Sequence, residues 1–242
     1  MPRRTQQRPF VFINMSMTAD GKIASADRKL THFSSPIDIE NLFRLRATAD
    51  AILCGARTIE ESDAILESGS EKFRRARKRN HRTEDPLRII ATGSGTISSK
   101  ARIWSERFSP IIALTSRRAS VANRKRLEQL ADCVWIDRAD TVDFRAVVEW
   151  LYEQFAVRRL LCEGGGELND ALFRAGLVDE IHITLCPLIL GGRKSPTLAD
   201  GEGVECLADA LKFRLQSARQ RGDELYLVYS RCALASSNSP SR

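Results

Sequence analysis

Residues 160–169 read L-L-C-E-G-G-G-E-L-N, from Leu160 to Asn169. The apolar run Leu160, Leu161, Cys162 ends in Glu163, three glycines follow (Gly164, Gly165 and Gly166), and a helical pattern starts at Glu167. That order spells strand, tight turn, helix. Glycine at such a turn lets the main chain come close to a ligand, because no Cβ intervenes and positive φ costs little. The helix adds N–H groups without intrahelical acceptors and the positive end of its dipole, which suits an anion such as a phosphate. A ligand-free connection accounts for these residues equally well, since a short glycine motif is a weak signal.

The same alternation recurs on both sides of this turn. Upstream, Pro9 to Met15 is aromatic and β-branched, as a strand buried on both faces should be, and S-M-T-A-D-G-K-I-A (16–24) follows with the turn pair Asp20-Gly21. Ser34-Ser35-Pro36 reads as a helix start, with Ile39, Leu42, Phe43 and Leu45 as the apolar face of a helix over 37–47. Ala51 to Cys54 is a short strand, and Gly55-Ala56-Arg57-Thr58 opens a helix at a second junction of small residues. Leu87 to Ala91, Pro110 to Thr115 and Cys133 to Ile136 read as strands, with helices over 119–131 and 144–155. Downstream, a helix over 167–175 ends at Gly176, Val178 to Cys186 is a strand, and 212–218 with 224–231 read as an antiparallel pair. A period that keeps switching between 2 and 3.6 predicts a largely parallel sheet flanked by helices. No linker divides the chain, so one domain is expected over 9–232, between a basic tail (1–8) and a Ser- and Pro-rich disordered tail (233–242).

Composition sets the outer limits. With 242 residues, 43% hydrophobic and 29% charged, the chain is an ordinary globular protein with ample core. No apolar run approaches the roughly 20 residues a membrane helix needs, and from the polar, basic stretch Met1 to Arg8 no secretory signal is expected. None of the six cysteines forms a C-x-x-C pair, which favours free thiols in the cytoplasm over disulfides or a zinc site. The three histidines, His32, His81 and His182, have no metal-ligand spacing, and Cys162 has no neighbouring histidine to make it a nucleophile. Net charge is +7, and residues 72–82 pack seven Lys or Arg into eleven positions. Such a run binds phosphate backbones, lies on a solvated helix or loop, or lends one or two arginines to a small phosphorylated substrate. Only Phe73 interleaves with the charges, so no stacking platform for nucleic acid is evident.

Several motifs together carry a resemblance. N-M-S-M-T-A-D-G-K-I-A (14–24), L-R-A-T-A-D-A-I-L-C-G-A-R-T (45–58), L-C-E-G-G-G-E-L-N (161–169), G-L-V-D-E (176–180) and P-L-I-L-G-G (187–192) occur in order. Over roughly residues 9–231 the chain resembles the riboflavin-biosynthesis pyrimidine reductases, which are the reductase half of the bacterial deaminase-reductase and its stand-alone archaeal and fungal counterparts. The resemblance implies an α/β, dihydrofolate-reductase-like fold, with a mostly parallel central sheet flanked by helices and a C-terminal antiparallel hairpin. It also implies NADPH as cofactor, a homodimer, and reduction of the ribosyl group of a phosphorylated ribosylaminopyrimidine to ribityl. By residue, Ser16, Thr58, Gly164, Gly165, Gly166, Glu167 and Leu168 match positions that contact NADPH, while Asn14, Arg46 and Glu163 match positions at the substrate. No metal is implied and no general acid is identified.

Departures from the family pattern fall in two places. Ser62-Asp63-Ala64 stands where many relatives carry D-D-P, and a basic insertion of about 68–85 follows, leaving the substrate-phosphate arginine unassigned, with Arg74 or Arg75 as replacement. The turn Thr92 to Thr96 lacks a basic residue for a cofactor 2′-phosphate. The zinc deaminase signature is absent, so reduction alone is expected. Asn14, where bifunctional enzymes tend to have Lys, both donates and accepts, and favours the 2,5-diaminopyrimidinone over the deaminated uracil. Two rivals remain at this stage: another NAD(P)H reductase on the same fold, and a basic nucleic-acid-binding protein.

Overall fold

In the computed structural model, residues 7–30 and 33–232 are described. Residues 1–6 of the expected basic tail, His32, and the expected disordered tail 233–242 lie outside the described residues. The apolar runs form β1 (Phe10–Thr18), β2 (Ala51–Gly55), β3 (Leu87–Ala91), β4 (Ile111–Thr115), β5 (Cys133–Ile136), β6 (Arg159–Cys162), β7 (Val178–Cys186), β8 (Phe213–Arg221) and β9 (Glu224–Arg231). Among the described residues they make one nine-stranded sheet, ordered β5-β4-β3-β2-β6-β1-β7-β9-β8. Every pairing from β5 to β7 is parallel, and β9 alone runs antiparallel to its neighbours β7 and β8. The expected α/β architecture, with a hairpin closing one edge, is what the chain adopts.

Helices cover both faces, as a parallel sheet requires. On one face α5 (Phe144–Gln154) and α6 (Gly166–Arg174) bury Val147, Val148, Leu151 and Leu172 against Val11, Ile13, Leu53 and Leu160. On the other face α1 (Pro36–Arg46), α2 (Ala56–Ser62) and α4 (Val121–Leu130) supply Leu45, Ile59 and Leu127 to a core with Phe12, Ile52 and Ile90. Consecutive residues of β1 therefore face opposite cores. Phe12, Asn14 and Ser16 all turn towards α1.

Three local readings differ from the sequence expectation. Strand β1 runs on to Thr18, because the ladder to β7 continues through Ser16 with Thr184 and Thr18 with Cys186, so Ser16 lies in the strand and not in a loop. Helix α1 does not bury Ile39, which is 46% exposed; its inward residues are Asp38, Asn41, Leu45 and Arg46. The hydroxyl-bearing strand ends beneath its first turn call for polar partners, which outweighs apolar periodicity. The basic run is neither a loop nor a wholly solvated face. It forms α3 (Glu71–Arg79), with Phe73 buried and Arg77 fully so.

Arg77 explains why that helix is seated. It donates from Nε to the Thr83 carbonyl (2.8 Å) and from Nη1 to the carbonyls of Arg46 (2.8 Å) and Ala49 (2.5 Å). Two of these lie at the end of α1, where a cation also meets the negative end of the helix dipole. Burial, with Arg82 close by, draws the Arg77 guanidinium down to about 10. Arg77→Met should cost about 2–3 kcal/mol in thermal or urea unfolding, because buried carbonyls lose their donor. The other charges of the insertion are mostly paired: Lys72 with Glu40, Arg74 with Glu67 and Asp85, Arg75 with Glu71, Lys78 with Glu84, Arg82 with Asp50. A run that is striplike in sequence is thus locally neutralised, and it presents no continuous basic track for a nucleic acid.

Candidate active site

The carboxyl ends of the central parallel strands are where a ligand is expected in such a sheet. There, β6 passes through Gly164, at φ +79, into Gly165, the N-cap of α6 at φ −74 and ψ −170. The first intrahelical bond of α6 runs from the Asn169 N–H to the Gly165 carbonyl (3.0 Å). The N–H groups of Gly166, Glu167 and Leu168 therefore have no intrahelical acceptor. Facing this turn is the β2-to-α2 junction, tied to it by the Gly55 N–H donating to the Gly164 carbonyl (2.8 Å).

The three glycines do different work. A Cβ on Gly164 would stand 2.7 Å from Met15 Sδ, and one on Gly166 would meet Asp200 Oδ2 at 2.4 Å and the Thr197 carbonyl at 2.6 Å. Those two are demanded by packing. A Cβ on Gly165 would have only Thr58 Oγ1, at 3.2 Å, within 4 Å, and would otherwise project into open space. That space is a cleft of about 760 Å³ lined by Thr58, Gly165, Gly166, Glu167 and Leu168 on one side, and by the Thr92–Thr96 turn, Arg118 and Arg126 on the other. A glycine cradle with free N–H groups, a hydroxyl and cations fits a dinucleotide's phosphates.

Beside the cleft, on the α1 face, a second set of polar groups converges. One residue past the last β1–β6 pair, Ile13 with Cys162, come Asn14 and Glu163. Asn14 is 7% exposed and its Oδ1 has no hydrogen-bond partner, a buried acceptor left open. Glu163 takes a two-pronged bond from Arg46, Nε to Oε1 and Nη2 to Oε2, both 2.7 Å, and Arg46 Nη1 reaches the Glu67 carbonyl (2.8 Å). Burial works against the Arg46 charge, yet the Glu163 carboxylate outweighs it and holds the guanidinium above its ordinary value. Ser16 Oγ donates to Asp38 Oδ2 (2.5 Å).

With that geometry in view, comparison with known proteins is decisive. The sequence model described as the RibD C-terminal domain matches residues 9–227. The chain belongs to that family. As a RibD C-terminal domain it is 35% identical over 195 residues to the 2,5-diamino-6-ribosylamino-4(3H)-pyrimidinone 5′-phosphate reductase of Archaeoglobus fulgidus, covering 81% of this chain and 88% of that protein. It is 30% identical over 228 residues to the protein of the same name from Methanothermobacter thermautotrophicus, covering 92% and 98%. Among solved structures, RibD of Acinetobacter baumannii superposes with a TM-score of 0.76 at 18% identity, and this chain spans 60% of its length. A pyrimidine reductase-like protein of Corynebacterium diphtheriae gives 0.76 at 16% identity, with 96% of each chain covered. Those structural likenesses speak to the fold.

The sequence-predicted residues of this RibD C-terminal domain fall into two groups. Thr58, Gly165, Gly166, Glu167 and Leu168 meet in the cleft, with Glu167 paired to Arg57 (3.0 Å). Asn14, Ser16, Arg46 and Glu163 gather on the α1 side, where Arg46 and Glu163 are engaged with each other. Gly164 does not line the cleft, and the Ser62 hydroxyl donates to the Thr58 carbonyl (2.6 Å). Of the proposed phosphate arginines, Arg74 is paired with Glu67 and Asp85, and Arg75 lies exposed beside Glu71. Cys162 is buried with its thiol pushed up to about 12, which removes it as a nucleophile. His182 packs on Phe12 and pairs with Glu180 (2.6 Å).

Two features went unread. Arg118 and Arg126 reach the Thr92–Thr96 turn from the β4-to-α4 connection and from α4, Arg126 donating to the Gly95 carbonyl (3.1 Å). The signal was Ser116-Arg117-Arg118 directly after a parallel strand, at the edge where ligands bind. The second is Asp38, buried in the first turn of α1, for which the helical period gives no signal.

Proposed function

We propose that this chain is an NADPH-dependent reductase that converts the ribosyl group of 2,5-diamino-6-(5-phosphoribosylamino)pyrimidin-4-one to ribityl, a step of riboflavin biosynthesis. The observation that carries this reading is the open Gly165 cradle lying alongside a pocket with an unpartnered buried acceptor, Asn14 Oδ1, in a chain whose 35%-identical relative is named for that substrate. A reduced nicotinamide, when bound, supplies the hydride. This chain's own residues position the substrate, which is most of what hydride transfer asks of a protein. Asn14 Oδ1 suits an amino group and favours the diaminopyrimidinone over the uracil, which has a carbonyl in place of one amine. Glu163, fixed by Arg46, keeps lone pairs that can receive sugar hydroxyls.

For the choice of dinucleotide, Arg118 and Arg126 support NADPH. Arg126 has no carboxylate partner among the described residues, its Nε is buried without an acceptor, and Ser94 and Thr96 stand at the same turn. A 2′-phosphate there would meet two cations and two hydroxyls. We also place the enzyme in the cytoplasm, in keeping with its free cysteines, and propose a homodimer; no helix among the described residues is long and apolar enough to cross a membrane. Sedimentation of the purified chain tests the dimer.

The enzymatic test is the loss of NADPH absorbance with the two candidate pyrimidines side by side. Faster turnover of the diaminopyrimidinone is expected, and no turnover of either would end this reading. Arg118→Ala and Arg126→Ala should each cut the preference for NADPH over NADH about tenfold, one charge-assisted bond apiece, in kcat/KM for the two cofactors.

A further inference from the structure

A second cavity, of about 240 Å³, lies on the opposite flank of α1 from the Arg46–Glu163 pair and shares no lining residue with the cleft. The sheet order decides that placement. Strand β6, which Glu163 follows, stands on one side of β1, while β7, β9 and β8 stand on the other. Arg46 leans from α1 towards Glu163, whereas Asn41, Arg44 and Leu45 wall the cavity. Its floor is His182 and Thr184 of β7 with Tyr226 and Val228 of β9. Ser217, Arg219 and Arg221 close it from β8, at alternate positions that share one face of the sheet.

Three guanidiniums thus converge from two walls, and none of them meets a carboxylate among the described residues. Arg44 is held by Asn41, donating from Nη2 to Oδ1 (2.6 Å). Arg221 lies over the Tyr226 ring, 5.6 Å from its centroid, and the Tyr226 hydroxyl is itself fixed to Glu224 Oε2 (2.7 Å). The acids nearby are engaged elsewhere: Glu224 also with Ser35 (2.6 Å), Glu180 with His182 (2.6 Å) and Glu40 with Lys72 (2.6 Å). Like charges facing one small volume repel, and an anion between them relieves all three at once.

We infer that this cavity is a second anion site, taking the phosphate dianion of a small molecule and separate from the dinucleotide cleft. A planar carboxylate is satisfied by a single guanidinium fork. Phosphate presents three oxygens in different directions, so it can draw on Arg44 from one wall and on Arg219 and Arg221 from the other. The Asn41 amide and the Ser217 hydroxyl, neither donating elsewhere among the described residues, add two neutral donors. The volume is that of about eight waters, room for one phosphate with a short organic stem and not for a nucleic-acid strand. Nothing here rests on what the cleft binds.

Proton NMR of the histidine rings reads the cavity directly, because His182 lines it; its signal is the one missing from His182→Gln. Inorganic phosphate added to the intact chain, with ionic strength held constant by potassium chloride, should shift that signal saturably, and acetate should not. Arg44→Gln, Arg219→Gln and Arg221→Gln, all at exposed residues, should each weaken phosphate about tenfold, one charge-assisted contact apiece. Gly165→Val, which fills the cleft, should leave the response unchanged, so phosphate resting on the glycine cradle is told apart. A parallel titration with glycerol 3-phosphate separates the sources: tighter binding than phosphate assigns the site to a small ester, and equal or weaker binding assigns it to the free ion. A His182 signal that ignores both phosphates, moves equally with acetate, or responds undiminished when Arg219 and Arg221 are both glutamine overturns the inference. Arg219→Gln alone decides it if the double variant does not fold.

Discussion

Glu163→Ala is expected to lose both activity and about 3–5 kcal/mol of stability, a fall of roughly 10 °C in melting temperature for a chain of this size. The two side chains of the pair are 8% and 11% exposed, so removing the acid leaves a buried guanidinium with only the Glu67 carbonyl to receive it. Arg46→Ala should be comparably damaging, since it strands the carboxylate. Carry-over of motif positions alone predicts that either variant loses turnover while staying folded. The two-pronged bond changes that expectation, because the same contact sets the substrate pocket and joins α1 to β6. Replacing both at once, as Arg46→Met with Glu163→Leu, should recover much of the melting temperature and none of the turnover. Equal melting temperatures for wild type and Glu163→Ala would show that the pair is not the buried contact described.

Gly165→Val should do the reverse. Its φ of −74 is open to any residue, and only Thr58 Oγ1 lies near the added Cβ, so the fold should melt within about 2 °C of wild type. The branched side chain would, however, fill the cleft where main chain is meant to meet phosphate, and NADPH affinity should fall at least about tenfold in a fluorescence titration. Gly166→Ala is the control: its Cβ would collide with the Thr197 carbonyl, and stability should drop together with binding. Unchanged affinity in Gly165→Val would move the dinucleotide elsewhere.

Much of this architecture is visible in the sequence because the central parallel strands are buried on both faces and announce themselves as apolar runs, as in Leu160 to Cys162 or Ile111 to Leu114. The cleft residues from Thr58 to Leu168 are legible for a related reason: small residues at a strand-to-helix junction have few other uses. Polar burial is harder to see. Asp38 and Asn41 point inward while Ile37 and Ile39 stay exposed, and nothing in the helical period announces that the strand ends below them carry hydroxyls. Charge misleads in the same way. Seven cations within eleven residues suggest a surface, yet whether each meets a carboxylate, a carbonyl or water depends in part on Glu40 and Asp50, which lie elsewhere in the chain. Arg118 and Arg126 come to the Thr92–Thr96 turn across a parallel crossover, a proximity set by topology and not by spacing.

Arg46 is grasped twice, its carbonyl by Arg77 and its guanidinium by Glu163. Protein engineers looking for a dispensable surface excursion would choose the segment from Ser68 to Asp85 for excision, since more than half of its residues are exposed. In this chain that shortening would withdraw the outer brace of the very residue that aims Glu163. A peripheral embellishment has become part of the frame of the pocket, and a minimised version of the protein would have to rebuild that brace from another direction.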